Sequence, residues 1–415
     1  MRTQLHNPFR DTDAGKEAEA ILRTCVHCGF CNAVCPTYQL LGDERDGPRG
    51  RIYLIKNALE GAEPTRKTQL HLDRCLTCLS CETTCPSGVN YGRLLDIGRQ
   101  HVEQIVPRTL SERLIRALLL SVIPWPRRFA MLLKAARFIR PLTFGFVKRS
   151  VAVRRAAGEW PEPRHARRML VLEGCVQPAM VPAINAAAAR VLDRVGISLI
   201  RANDGCCGAM AHHLSAKDQA HAHMRRNIDA WWPEIERGAE AVVVTASGCG
   251  TMVRNYGLLL RDDPQYAARA ARVSELFRDL SQVVAREADQ LDLEGMKSRD
   301  GGQVTRLAFH APCSLQHGLQ IRGLAESALL RAGFTLVPVA DSHLCCGSAG
   351  TYSILQAKLS RQLKANKLAA LQAQAPDAIV TANIGCMLHL ASGTERPVRH
   401  WIELLDTRMC GHGEC

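Results

Sequence analysis

Cys25-Val26-His27-Cys28-Gly29-Phe30-Cys31-Asn32-Ala33-Val34-Cys35-Pro36 and Cys75-Leu76-Thr77-Cys78-Leu79-Ser80-Cys81-Glu82-Thr83-Thr84-Cys85-Pro86 share one spacing, C-x2-C-x2-C-x3-C-P. Thiolates hold iron–sulfur clusters, and three cysteines this close together reach three irons of one cubane. The fourth, before proline, is turned toward the other cluster in two-cluster ferredoxins. The spacing therefore assigns Cys25, Cys28, Cys31 and Cys85 to one [4Fe–4S] cluster, and Cys75, Cys78, Cys81 and Cys35 to a second. Zinc usually takes two separated pairs of ligands, and neither zinc nor a disulfide framework asks for the Cys-Pro register twice.

Around this pair the chain runs to 415 residues, room for about three ordinary domains. It is 47% hydrophobic and 22% charged, a globular composition with ample core-forming material. Eighteen cysteines point to metal or redox chemistry in a cytoplasmic chain, because disulfides are rare in reducing compartments. The first residues show no apolar stretch of a secretory signal. The longest apolar candidate, residues 117–126, holds two prolines and falls well short of the ~18 residues of a spanning helix. The expected location is cytoplasmic, peripheral on the inner face of the cytoplasmic membrane.

Charge is concentrated. Residues 101–168 carry 15 Lys and Arg against 4 Asp and Glu, an excess of +11 out of a net +13. These basic residues alternate with Leu, Ile, Phe and Trp rather than forming a recognition motif, so no nucleic-acid partner is expected. A solvated helical face or a docking surface is the better reading.

Taken in order, residues 1–106 read as an all-helical two-cluster domain. Apolar positions at Ile52, Leu54, Ile55 and Leu59 recur at helical spacing, and further helices are expected over 65–73 and 93–106. Residues 107–167 form a basic amphipathic connector with two apolar stripes: Leu114, Ile115, Leu118 and Leu119, then Phe129, Leu132, Leu133 and Phe138. Such stripes pack on the protein's own core or a partner more often than on lipid.

From Arg168 the chain repeats itself. The first copy (168–283) has strands over 169–172, 197–200 and 241–245 and a helix over 182–195, with Cys175, Cys206, Cys207 and Cys249 between them. The second (305–405) has strands over 307–309, 334–337 and 378–381, with Cys313, Cys345, Cys346 and Cys386. Successive cysteines are 31, 1 and 42 residues apart in one copy and 32, 1 and 40 in the other. Asn227 and Asn366 each lie 20 residues beyond the second cysteine of the pair. Duplication is the economical account. Residues 284–304 read as a loose link, and 406–415 as a disordered tail whose Cys410, His412 and Cys415 could bind a metal. Alternating strands and helices predict a parallel α/β lobe in each copy, with the cysteines at strand ends where such sheets place ligands. The overall class is α+β multidomain. Two Cys-Cys-Gly turns with matched flanking cysteines suit a redox or metal site better than core packing. An iron–sulfur cluster is preferred as occupant over zinc, and zinc over a redox disulfide.

Cys-Cys-Gly repeats behind a two-cluster domain resemble the iron–sulfur subunits of bacterial glycolate oxidase. The resemblance is carried by LRTCVHCGFCNAVCPTYQLLGDERDGPRGRIYLIK, LDRCLTCLSCETTCPSGVNYGRLLDIGR, NIDAWWPEIE, TASGCG, DSHLCCGSAGTY, TANIGC and VRHWIE, and spans residues 1–405. It implies an electron-transfer subunit working with FAD-binding partners that oxidise glycolate to glyoxylate, with D-lactate as a second substrate and a membrane quinone as acceptor. Related subunits serve glycerol-3-phosphate or lactate dehydrogenases. In the related heterodisulfide reductase the repeat ends in C-x-x-C, whereas here Met252 and His389 stand at the final position. That departure argues against thiol or disulfide reductase chemistry. Catalytic residues are not expected: the chain has no G-x-G-x-x-G opening a helix after a strand, and His27, His343, His212 and His213 lie beside cysteine motifs, where a histidine tunes or packs.

Overall fold

A computed structural model describes residues 1–7, 9–139, 156–293 and 305–410. Residues 411–415 of the expected tail and most of the inter-lobe link lie outside the described residues; residues 406–410, expected to be part of a disordered tail, instead complete the helix Trp401–Cys410, with Asp406 and Met409 buried.

The N-terminal part is helical. Thr12 caps the helix Asp13–Thr24 by accepting from the Gly15 N–H at 3.0 Å, and Ala18, Ile21 and Leu22 are buried on one face. Pro36 and Pro48 open the helices Pro36–Leu41 and Pro48–Leu59, where a missing N–H costs nothing. Pro86 opens no helix; the chain turns and restarts at Tyr91–Ile105, capped by Asn90 rather than beginning at Arg93 as its sequence suggests. Leu94, Leu95 and Val102 on that helix meet Ile52, Ile55 and Leu59. Each such side chain stabilises by about 1.5–3 kcal/mol on burial.

Next come the helices Leu110–Val122 and Pro126–Ile139. The first apolar stripe faces solvent, with Leu114 70% and Leu118 64% exposed. The second is divided: Leu133 is buried in the following lobe, while Phe138 is 88% exposed.

Two parallel sheets of identical topology follow. The first comprises β1 (Arg167–Val171), β2 (Ile197–Arg201), β3 (Val242–Val244) and β4 (Phe277–Asp279), in the order β2-β1-β3-β4. The second comprises β5 (Arg306–His310), β6 (Thr335–Leu336), β7 (Ala378–Thr381) and β8 (Val398–His400), in the order β6-β5-β7-β8. Helices cover both faces, so strands such as Val242–Val244 are buried throughout rather than alternating. The edge strands β4 and β8 were not expected from the sequence. Residues 284–293, expected to be loose link, are packed: Val284, Ala288, Leu291 and Leu293 are buried. One hydrophobic core runs through both lobes and includes the fully buried Trp231 and Trp401.

The lobes are also stitched by polar contacts. His400 Nε2 lies 2.9 Å from the Thr245 carbonyl, Ser247 Oγ 2.8 Å from Ser314 Oγ, and Arg190 pairs with Asp406 at 2.5 Å.

Candidate metal centres

The two cysteine loops of the helical part adopt the same backbone. His27 and Thr77, two residues into each motif, have φ of 59° and 52°, and Leu79 at the next such position has φ 60°. Non-glycine residues held in this left-handed region cost of order 1–3 kcal/mol each, and they cluster at ligand clamps. Two hollows result. Cys25, Cys28, Cys31 and Cys85 line the first, with Val26, Phe30 and Ile52. Cys35, Cys75 and Cys78 line the second, with Leu76, Leu79 and Arg51. Cys81 and Tyr91 form the wall between them and line both. The strongest thiol–thiol effects fall within each set, with Cys31 also acting weakly on Cys81. Burial, then Cys25, Cys85 and Cys28, push the Cys31 thiol up to about 11. Burial, then Cys78, Cys75 and Cys35, raise that of Cys81.

The hollows differ in exposure and charge. The first opens at the surface, where Cys28 is exposed beside Val26 (67%) and Phe30 (62%). The second is lined mostly by buried residues and is cationic. Arg51, 1% exposed, donates to the His71 carbonyl at 2.8 Å and to Thr37 Oγ1 at 3.1 Å. Arg99 donates to the Leu72 and Cys75 carbonyls at 2.7 and 2.8 Å. The Tyr91 hydroxyl and the Thr77 N–H each donate to Cys75 Sγ at 3.5 Å. Burial alone would raise the Cys75 thiol; Arg51, Arg99 and these donors outweigh it and lower it. Neither Arg51 nor Tyr91 was singled out by sequence reasoning, which had no means of seeing that they converge on Cys75.

In both lobes the cysteines gather at the C-terminal edge of the sheet. Cys175 follows β1, Cys206 and Cys207 follow β2, and Cys249 lies in the helix Ser247–Arg254 after β3. Cys313, Cys345, Cys346 and Cys386 repeat this around β5, β6 and the helix Ile384–Ala391. Gly208 and Gly347 have φ of 90° and 86°, and a Cβ on Gly347 would lie 2.8 Å from the Ser360 carbonyl oxygen. Their N–H groups donate to Cys206 Sγ at 3.5 Å and Cys345 Sγ at 3.4 Å. Glycine is thus required by both torsion and space.

Beyond the turn the lobes diverge. In the first, Asn227 accepts from the Gly205 N–H at 3.0 Å and donates to the Cys206 carbonyl at 3.0 Å and to Tyr256 Oη at 3.1 Å. Asn366, at the same sequence offset in the second lobe, is exposed and accepts from Gln362. The buried position there belongs to Lys367, which donates to the Asp341 carbonyl at 2.6 Å. The equal offset therefore does not place the two asparagines in equivalent sites.

The second lobe also gathers His310, Cys346 and Cys386, whose ligand atoms lie within 4.8 Å of one another. Burial pushes His310 down to about 3, which keeps it neutral. Asn383 donates to Cys386 Sγ at 3.3 Å and accepts from the Gly248 N–H of the first lobe at 3.2 Å. Sequence reasoning passed over His310 and Asn383, whose places in the first copy are taken by Leu172 and Ala246, so the repeat carried no signal for them.

The second hollow abuts the second lobe. Leu76, Cys345, Tyr352 and Leu363 form one buried cluster, with Cys78 and Cys313 packed against it. His317 bridges the same seam, Nδ1 at 2.8 Å from Thr83 Oγ1 and Nε2 at 3.0 Å from the His343 carbonyl. The remaining histidines of the sequence reading are structural here. His212 Nε2 is 3.0 Å from Asp96 Oδ2, and burial holds His213 at about 4. Burial, then Arg49, lowers His27.

Comparison with known proteins agrees with this layout. Residues 21–89 match a 4Fe-4S dicluster domain, and residues 169–254 and 307–391 each match a cysteine-rich domain. The chain is 54% identical to the glycolate oxidase iron-sulfur subunit of Escherichia coli (strain K12), over 98% of each chain. It is 31% identical to a probable glycolate oxidase iron-sulfur subunit of Bacillus subtilis (strain 168), over 95% of this chain and 93% of that one. A lactate utilization protein A of Anoxybacillus flavithermus is 26% identical over 54% of this chain and 93% of its own.

Proposed function

The chain belongs to the family of glycolate oxidase iron–sulfur subunits, and from that premise we propose that it is the electron-transfer component of a complex oxidising glycolate to glyoxylate, between FAD-bearing partner subunits and a membrane acceptor such as a quinone. D-lactate is a second substrate of the complex in this reading. The donor sets fit the group: eight thiols surround two hollows, and among the described residues no three of them crowd within the 4.8 Å that suits a single ion. Two [4Fe–4S] clusters, when bound, supply one-electron transfer. Cys25, Cys28, Cys31 and Cys85 would hold one, and Cys75, Cys78, Cys81 and Cys35 the other.

The single observation that carries the reading is the contrast between the hollows. Exposed Val26, Phe30 and Cys28 offer a partner close approach on one side. On the other, Cys78 and Cys313 both pack against the buried cluster of Leu76, Cys345, Tyr352 and Leu363. Arg51, Arg99 and Tyr91 place positive charge and hydrogen-bond donors around Cys75, and such groups favour the more reduced, more negative state of a site. No described helix is long and apolar enough to cross a membrane. Leu114, Leu118 and Phe138, exposed among arginines, are the surface by which the chain docks to its complex at the inner face of the membrane. In this division residues 1–106 carry the clusters, 107–167 the docking surface, and 168–283 and 305–405 the repeated lobes.

The test is Cys35→Ser in the assembled complex. Glycolate-dependent acceptor reduction should fall roughly 10–100-fold. Stepwise reduction followed by EPR should lose the signal of the cluster on Cys75, Cys78 and Cys81 while keeping the other. Loss of the cluster on Cys25, Cys28 and Cys31 instead refutes the ligand assignment, and unchanged acceptor reduction refutes the relay.

A further inference from the structure

One donor set in the second lobe lies outside the two cluster hollows. His310 ends β5, Cys346 closes the Cys-Cys pair, Cys386 lies in the helix Ile384–Ala391, and all three are buried. His310 is 2% exposed, and neither of its ring nitrogens has a hydrogen-bond partner. A buried polar group left in that state costs roughly 1–3 kcal/mol unless something binds it.

Spacing identifies what binds. A tetrahedral ion with metal–sulfur bonds of ~2.3 Å holds its sulfurs about 3.8 Å apart. A cubane keeps its thiolates farther apart, because the cluster body lies between them. The His310, Cys346 and Cys386 donors, within 4.8 Å of one another, match the single ion. The other set this compact among the described residues, Asp43, Asp46 and His71, is already neutralised: Asp43 pairs with Arg45 at 2.7 Å and Asp46 with Arg74 at 2.8 Å.

We propose that the second lobe binds one borderline-soft divalent ion of the zinc class through a ring nitrogen of His310 and the sulfurs of Cys346 and Cys386, and that the first lobe does not. Two thiolates cancel the charge of a dication, so the centre is neutral and tolerates burial. The first lobe has Leu172 where the second has His310, three residues before the leading cysteine of each copy. His389, one helical turn beyond Cys386, is a positioning residue: its Nε2 lies 3.4 Å from Ser360 Oγ, and it is hydrogen-bonded to the Cys346 backbone. The proposal rests on the reading of the repeated cysteines as chemical sites, not on the relay.

The experiment measures metal in the anaerobically purified complex, wild type and His310→Leu, by elemental analysis, zinc-edge X-ray absorption and titration with Co2+. Wild type should hold one zinc per chain beyond cluster iron, with one nitrogen and at least two sulfur neighbours, and Co2+ should give thiolate-to-cobalt absorption. His310→Leu, which copies the first lobe, should lower zinc occupancy and the cobalt absorption at least tenfold, with cluster iron and its EPR signals unchanged. Unchanged cluster iron also reports that the variant folds; if it drops, His310→Gln, closer in shape, is read instead. Wild type that takes up neither zinc nor cobalt overturns the proposal, as does a folded variant that keeps its ion. Iron and sulfide above those of two cubanes, lost on Cys386→Ser, would show a cluster in the lobe and overturn it too. Failure of the relay would appear separately, as missing cluster iron.

Discussion

In the first cysteine-rich lobe the Cys-Cys turn is tied down by neutral amide and phenol groups, Asn227 and Tyr256, and Leu172 fills the space before the leading cysteine. Its ionisable neighbours are His223 and Asp204. In the second lobe a different ionisable set, His310, Lys367 and His389, lies around the thiols. Strand order and the glycine torsion are shared. A duplicated sheet thus keeps its backbone while the groups around the thiols diverge, and what has diverged is what decides whether a charged centre can be stabilised. Position reinforces the difference, since the second lobe abuts the second hollow through Leu76, which shares a buried cluster with Cys345, Tyr352 and Leu363.

Replacing one Cys pair at a time is the most direct way to break this comparison. Cys345 and Cys346 changed together to Ser should lower acceptor reduction by the assembled complex by roughly 10–100-fold. The same change at Cys206 and Cys207 should have a markedly smaller effect. Equal losses would mean the lobes are functionally equivalent; no loss in either would make both scaffold.

A pH profile sharpens it next. Burial pushes Asp204, just before the first Cys pair, up to about 7, even though the Trp231 N–H donates to it at 3.0 Å and the Glu173 N–H at 3.2 Å. The folded value lies above the unfolded one, so the folded state binds the proton more tightly. Stability should therefore be greatest at low pH and fall between about pH 4 and 7, at roughly 1.4 kcal/mol per pH unit at most, then level off. His343 stands at the matching place in the second lobe. Melting of Asp204→Asn across that range should lack the decline attributable to the first lobe; an unaltered profile would dismiss Asp204 as its source.

The smallest contrast concerns the asparagines. Asn227→Ala should cost about 2–3 kcal/mol, because it leaves the Gly205 N–H and the Cys206 carbonyl unsatisfied in a buried turn. Asn366→Ala should stay within about 0.5 kcal/mol. Chemical denaturation of the two variants side by side measures both, and similar costs would mean the helices do present them alike.

Much of this architecture was legible in sequence because it rests on local signals. The α/β alternation, the Cys-Cys-Gly turns and the placing of cysteines at strand ends follow from short-range pattern. β4 and β8 escaped because Phe277-Arg278-Asp279 and Val398-Arg399-His400 are three residues long with a charged centre, and become strands by pairing at a sheet edge. The equation of Asn227 with Asn366 failed for a related reason: a shift of one residue turns a helix by about 100° and exchanges a buried face for an exposed one. His310 went unnoticed because its isolation from hydrogen-bond partners exists only in three dimensions.

The continuous core has a consequence for how such a chain can change. Duplicated domains are commonly modular and can be lost, swapped or expressed apart. Here Trp401 and the helix it begins, Trp401–Cys410, belong to the same apolar interior as the helix Ala183–Asp193, and Arg190 is paired to Asp406 across the seam. A break between the lobes would leave each half with a wide apolar face in water, a surface prone to aggregation. The repeats are therefore bound to be inherited and folded together, and divergence between them is confined to the few positions around the thiols that the common interior does not constrain.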